Sequence, residues 1–233
     1  VVVPYLRGEG IGHLDGMVIS HQDNDHAGGM ASVLEQVQPN WLASSLPEPM
    51  LQAVTARHIP CFRGQSWTWD GVRFDMRYPA LETYGERAKS NNRSCVLHVQ
   101  SPYGSLLLPG DIERKAEREL VKTDAGLAAD VLIVPHHGSK TSSTPEFIQR
   151  VNPQMTIFTV GYRNRFGHPK PMILARYQDI GSRIYRSDSD GALLINFTDA
   201  GIDVTQWRLR ARRYWQDVAG ANPRLLAENS AAR

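Results

Sequence analysis

The chain has 233 residues, 41% of them hydrophobic, which suits one globular core, and its formal net charge of +2 is too small to imply a polyanionic partner by bulk balance alone. No apolar run approaches the roughly 18 residues of a membrane-spanning helix, and no signal peptide is visible. Two cysteines, Cys61 and Cys95, allow one disulfide but neither a disulfide framework nor a C-x-x-C thiolate metal site.

The chain starts Val1-Val2-Val3 with no Met and reads as a piece of a longer protein. Residues 1–6 read as a short strand or its tail, and 14–20 as a strand with a buried Met17-Val18-Ile19 end. Residues 30–38 have helical spacing, with Met30, Val33, Leu34 and Val37 on one face and Pro39-Asn40 as the stop. Trp41-Leu42-Ala43 is a short strand, and 47–58 contains a second helix with Met50, Leu51 and Val54 apolar. Residues 66–78 form a hairpin around Asp70-Gly71. Residues 81–93 are a polar loop, and 94–100 and 105–108 are strands about a turn. An amphipathic helix covers 112–121, a buried strand 131–134, a short helix 145–151 and a strand 155–160. A loop over 161–168 and a helix over 172–180 follow, and strands at 183–186, 193–198 and 204–214 close the chain. Residues 217–233 lack periodicity and are expected to be a disordered tail behind a domain of residues 1–216. The mixture implies an α/β (α+β) fold of two sheets covered by helices.

Four potential metal ligands, His21, Asp23, Asp25 and His26, fall within six residues between the first strand and its helix. An extended loop turns His21, Asp23 and Asp25 the same way and leaves His26 at the mouth of the helix. Imidazoles and carboxylates gathered this closely invite a divalent cation; the plain alternative is a polar loop capping the helix.

Asp111 closes the stretch Leu106 to Gly110, where it projects over the sheet edge or caps the helix that follows. The strand 131–134 ends in Pro135-His136-His137-Gly138-Ser139-Lys140. One His suits a metal and the other can donate a proton to a phosphate or leaving group, and spacing does not choose between them. Ser139 and Lys140 suit an anionic substrate. In the loop 162–169, Arg163, Arg165, His168 and an aromatic pair suit phosphates and stacked bases, or form an ordinary solvated loop. Residues 207–215 alternate, with Trp207, Leu209 and Ala211 turned to the core and Arg208, Arg210 and Arg212 outward, as a basic track or a solvated face.

These stretches together resemble the metallo-β-lactamase superfamily. In S-H-x-D-x-D-H-x-G-G, N-N-x-S-C-V-L, L-L-x-G-D-I-E, V-P-H-H-G-S-K-T-S-S and N-R-F-G-H-P they resemble the metallo-β-lactamase-like domains of ComEC-type competence proteins, over roughly residues 1–215. The resemblance implies a four-layer αββα sandwich, here without its N-terminal strands. It also implies two divalent cations, one held by His21 and Asp23, the other by Asp25, His26 and one of His136 or His137, with Asp111 bridging. His137 is placed in the ligand set, and Asp25, His136, His137 and Lys140 in the catalytic set. Asp23 stands where the usual signature has its second His, which favours Mn²⁺ or Mg²⁺, with Zn²⁺ as the alternative.

Asn91-Asn92-Arg93-Ser94 replaces the third His-bearing motif of the family, so Asn92 and Ser94 are expected at a water or the DNA phosphate, with Ser139, Arg163, Arg165 and His168. His98 reads as structural. By the same resemblance the chain is the DNase domain of a DNA-uptake protein that degrades the non-transported strand during natural transformation. Its partners are DNA and a membrane channel domain of the same polypeptide, on the extracytoplasmic side of a bacterial inner membrane. Two other readings stand beside it: hydrolysis of a small substrate on the same fold, and a DNA-binding module with a vestigial site.

Overall fold

In the computed structural model, which describes residues 2–52, 54–85 and 88–211, β-strands in two sheets carry the chain. The smaller sheet is all parallel, in the order β1 (Leu14–Ile19), β2 (Pro39–Ser44), β3 (Arg57–Pro60). The larger has seven strands. β4 (Ser66–Trp69), β5 (Val72–Tyr78), β6 (Val96–Ser101) and β7 (Gly104–Leu108) are antiparallel neighbours. From β7 the sheet continues in parallel through β8 (Val131–Ile133), β9 (Met155–Phe158) and β10 (Arg183–Arg186). A separate hairpin joins β11 (Leu193–Thr198) to β12 (Gly201–Gln206).

Side-chain alternation decides the layers. Val18, Trp41, Ala43 and Ile59 of the small sheet meet Trp67, Phe74, Met76 and Leu97 of the large one. Ile19 and Leu42 point the other way, onto Met30, Leu46 and Met50. On the large sheet, Leu107, Leu132, Val134 and Phe158 face the helices Arg114–Thr123, Pro145–Val151 and Pro171–Asp179. Val131, Met155 and Ile157 face the hairpin. Helices therefore cover the outside of two stacked sheets, with the hairpin beside the small one, as the sandwich reading expected.

Three expectations are corrected. Val2–Gly8 is a helix, not a strand; Pro4 lies in its first turn, where a missing N–H leaves no intrahelical bond unmade. Among the described residues of 47–58 only Glu48–Leu51 is helical, and Arg57 begins β3 because β2 offers it a parallel ladder. The expected strand 204–214 stops at Gln206. Its last ladder partner is Leu193, and beyond it Trp207–Arg210 coils into a helical turn. Trp207 and Leu209 are consequently exposed at 56% and 62%, not turned to the core. Arg212 and the tail at 217–233 lie outside the described residues.

Cys61, just past β3, is disulfide-bonded to Cys95, just before β6, so the covalent link joins the two sheets. Replacing both cysteines by Ala is expected to cost about 4 kcal/mol, the loop-closure entropy of a loop of this size. Urea denaturation would measure it; an unchanged midpoint would assign the sheet contact to packing alone.

Glu117 is fully buried in the helix Arg114–Thr123, yet its carboxylate accepts hydrogen bonds from the backbone N–H of Ser143 (2.5 Å) and Thr144 (2.8 Å) at the start of the helix Pro145–Val151. Burial pushes its carboxyl up to about 7 against the pull of those bonds. Between pH 4.5 and about 7 the folded chain thus holds a proton that the unfolded chain has released. Its contribution to stability is therefore greatest at low pH, falls as pH rises through that window and levels off above it, by on the order of 3 kcal/mol. Glu117→Gln is expected to flatten this slope in pH-dependent denaturation curves; an identical slope in the variant would locate it elsewhere.

Candidate metal centre

The C-terminal ends of three strands, β1 from the small sheet and β7 and β8 from the large one, deliver the polar residues to one place. Ser20 fastens the first loop. Its carbonyl accepts from the Cys95 N–H (2.9 Å) and the Ser45 hydroxyl (2.7 Å). Its own hydroxyl lies 3.0 Å from His21 Nδ1 and 3.2 Å from His26 Nδ1. One side chain thereby orients two imidazoles so that both Nε2 atoms point away from it. The second loop, Pro109-Gly110-Asp111, is held by the Asp111 N–H donating to Ser94 Oγ (3.1 Å). Gly110 has φ +58°, and a Cβ there would lie 2.9 Å from the Cβ atoms of both Ser20 and Ser94.

The third loop is the tightest. His136 (φ 50°), His137 (φ 54°) and Gly138 (φ 80°) are consecutive left-handed residues. For the two imidazole-bearing residues this costs about 1–2 kcal/mol each, strain of the kind that accumulates where side chains must be aimed. The alternation rule does not hold in such a turn, which is why spacing could not choose between the two His. The structure does. His137 Nδ1 donates to the Thr159 carbonyl (2.7 Å), so neutral His137 carries its proton there and presents a bare Nε2. That Nε2 lies 3.3 Å from His26 Nε2 and 3.2 Å from Asp25 Oδ2. His136 sits at the rim, with its Nδ1 3.2 Å from Thr141 Oγ1 and its ring beside Asn91.

Asp111 is the common neighbour. Its carboxylate oxygens are 3.2 Å from His26 Nε2, 3.7 Å from His137, 3.8 Å from His136 and 3.9 Å from His21. One ligand atom each from Asp25, His26, Asp111 and His137 lies within 4.8 Å of all the others. Beside that group, His21 Nε2 is 3.6 Å from Asp23 Oδ2. His21 is wholly buried and its Nε2 has no hydrogen-bond partner, although two carboxylates flank it. A buried nitrogen facing carboxylates at more than hydrogen-bond distance is an arrangement that a shared cation would satisfy. The donor set fits a divalent cation at Asp25, His26, Asp111 and His137, with His21 and Asp23 adjoining it.

The protein charges follow from the same geometry. Burial and the neighbouring His26 hold the His21 imidazole below its ordinary value. Burial opposes charge on His26 too, but the Asp111 hydrogen bond and charge outweigh it and raise its pKa. The Asp111 carboxyl is pushed up by burial and pulled down further by His26, so it ends lowered.

The remaining expected site residues divide. Ser139 is buried and bonds Thr141. Lys140 is exposed, and its backbone carbonyl accepts from Arg114; its ammonium is not among the groups gathered around Asp111. Asn92 and Ser94, expected at substrate, lie beneath the site instead. Asn92 is buried with its Oδ1 accepting from the Glu113 N–H, and Ser94 is wholly buried against Asp111. His98 is structural, as expected, and pairs with the Ala128 carbonyl at 3.0 Å. Arg163 and Arg165 are exposed on a loop whose His168 packs 6.2 Å from the His136 ring. Sequence reading missed the supports Ser20, Asn91, Thr141 and Thr159. Ser20, Asn91 and Thr141 stand inside the motifs without a role read for them, and Thr159 left no signal.

A family profile described as the metallo-beta-lactamase superfamily matches residues 4–157. The competence protein ComA of Neisseria gonorrhoeae is 34% identical over 216 residues, 92% of this chain and 30% of that protein. ComE operon protein 3 of Bacillus subtilis is 30% identical over 203 residues, 83% of this chain and 26% of that protein. The chain therefore spans less than a third of the length of these curated relatives. The crystal structure of the metallo-beta-lactamase fold protein YhfI from Bacillus subtilis aligns with a TM-score of 0.50 at 10% identity, over 79% of this chain and 78% of that one, which bears on the fold alone. Profile, relatives and sandwich agree that the chain belongs to the metallo-β-lactamase superfamily.

Proposed function

We propose that this chain is a divalent-metal-dependent phosphodiesterase acting on DNA, a nuclease domain of a competence-type DNA-uptake protein. The observation that carries the hydrolase reading is the convergence on Asp111 of four imidazoles, with the orphaned Nε2 of buried His21 among them. Similarity to competence proteins supports DNA as the substrate, as does the Arg163/Arg165 loop beside His136.

His21 and Asp23 would hold one cation, and Asp25, His26 and His137 another, with Asp111 beside both. When bound, the cations supply Lewis acidity to the phosphate and make water acidic enough to attack near neutral pH. The chain supplies the rest. Ser20 and the Thr159 carbonyl fix which imidazole nitrogens face inward. His136, at the rim 3.8 Å from Asp111, is placed to pass a proton to the departing oxygen. Arg163 and Arg165 draw in the phosphate backbone. Asp23 and Asp25 weight the site toward oxygen, which favours Mn²⁺ or Mg²⁺ over Zn²⁺. A disulfide between Cys61 and Cys95 belongs in an oxidising compartment and supports an extracytoplasmic position. Among the described residues no helix is long and apolar enough to cross a membrane, and the channel domain is a partner by similarity.

The test is cleavage of labelled single- and double-stranded DNA by this chain with Mn²⁺, Mg²⁺, Zn²⁺ or chelator. Metal-dependent cleavage that Asp111→Asn lowers by at least about 100-fold, with the melting temperature retained, is the expected result. Absence of cleavage with every metal sinks the nuclease reading, and equal or better turnover with Zn²⁺ sinks the metal preference alone.

Ser20→Ala removes the hydroxyl that orients two ligands, so metal affinity measured by titration calorimetry is expected to fall about 10- to 100-fold. Wild-type affinity in that variant would show that packing alone aims the imidazoles.

A further inference from the structure

The loop 161–170 carries features that metal chemistry does not need. Tyr162 and Phe166 are among the most exposed large hydrophobic residues described, at 67% and 59%. They do not lie on a floppy segment. The Asn164 side chain donates to the His168 carbonyl (2.8 Å) and the Gly161 carbonyl (3.2 Å) and accepts from the His168 N–H (2.9 Å). Lys170 donates its backbone N–H to the Gly138 carbonyl (3.0 Å) and its ammonium to the Phe166 carbonyl (2.6 Å). The loop is thus fastened to the His136-His137-Gly138 turn. Gly138 permits the contact, because a Cβ there would lie 2.8 Å from Phe158 and from Pro169.

Rings and cations on this loop are arranged in order. Arg165 lies over Phe166 (4.9 Å from the ring centroid) and Arg163 over Tyr162 (5.2 Å). Phe166 and His168 are nearly parallel, 16° apart with centroids 5.9 Å apart, and His168 lies 6.2 Å from His136. The row of rings therefore runs from solvent to the rim of the metal centre, parallel at Phe166 and His168 and edge-on, at 67°, between His168 and His136. No acidic residue occurs between Gly161 and Pro171. Exposed aromatic rings and guanidinium planes held beside cations are the means by which proteins stack unpaired bases while gripping the flanking phosphates. In a duplex both faces of an interior base are already covered by its neighbours, so such a ring finds a free base only in a single strand or at an end.

We propose that Phe166, with Arg165 and Arg163, is a base-stacking platform that seats an unpaired nucleotide next to the metal centre, so that the site takes single-stranded or frayed DNA in preference to intact duplex. The proposal rests on the phosphodiesterase reading and names its substrate form. Phe166 positions the strand and touches no reacting atom.

The experiment uses a short single-stranded oligonucleotide carrying 2-aminopurine, whose fluorescence is quenched by stacking, with the whole chain in chelator so that nothing is cut. Binding is expected to quench the probe in the single strand and much less in an intact duplex. Phe166→Ala is expected to weaken single-strand affinity about tenfold, the size of one base–aromatic stack, and to remove most of the quench, while Phe166→Trp retains both. Arg163→Ala and Arg165→Ala are expected to lower the salt dependence of binding by about one phosphate contact each. Equal affinity for single strand and duplex, or wild-type quench and affinity in Phe166→Ala, overturns the proposal. Cleavage with metal is scored separately. Cleavage without stacking keeps the nuclease and removes the platform; stacking without cleavage under any metal keeps the platform as a strand-binding site and removes the nuclease.

Discussion

A carboxylate with one-twentieth of its side chain exposed, that of Asp111, stands within 4 Å of four imidazoles, and the remainder of the fold serves to hold it there. Burying a charge is costly unless it is paired and hydrogen-bonded. Here the pairing comes from His26 above all, and it more than offsets the desolvation of Asp111. The pairing is incomplete, however. His21 approaches Asp111 only to 3.9 Å and finds no hydrogen bond anywhere. A site built for its own stability would close that gap; one built for cations leaves it open.

Holding Asp111 requires both sheets. The first loop leaves the small sheet, the second and third leave the large one, and Ser20 ties them by accepting from Cys95 through its carbonyl while turning its hydroxyl to His21 and His26. The inter-sheet core around Met76 and Leu97 and the Cys61–Cys95 bond are therefore not remote from chemistry. They set the distance between His26 on one sheet and His137 on the other, which is 3.3 Å between nitrogens. Sites assembled from rigid strand ends keep such distances better than sites made within one flexible loop.

Much of this was legible in the sequence, and the limits have physical causes. The hairpin at Asp70-Gly71, the strands and the amphipathic helix around Leu120 follow from periodicity, because each has one apolar face and one partner nearby. The strand Arg57–Pro60 was not legible because Met50, Leu51 and Val54 share helical spacing while the ladder that captures Arg57 lies on β2, which periodicity does not see. The cation-binding loop was legible as a short motif. The identity of the inward His was not, since it depends on a left-handed turn and on a carbonyl of residue 159, distant in sequence. Asn92 and Ser94 were misplaced for the opposite reason: a polar pair next to a site reads as surface, yet here each satisfies a backbone N–H in the interior.

The donors are also distributed unequally. The nitrogens lie inward, each held by a hydrogen bond from behind or by burial, whereas the side chains of Asp23 and Asp25 are 43% and 61% exposed. The inner half of the site is thus preformed and the outer half is free to adjust. The same arrangement places two carboxylates at the solvent-facing mouth of the site. Without cations that mouth is electronegative; divalent cations held there would lessen or reverse the local field. On the proposed reading, metal loading would govern both chemistry and approach, while the exposed Arg163 and Arg165 loop, joined to the centre through His168 and His136, would engage a strand first.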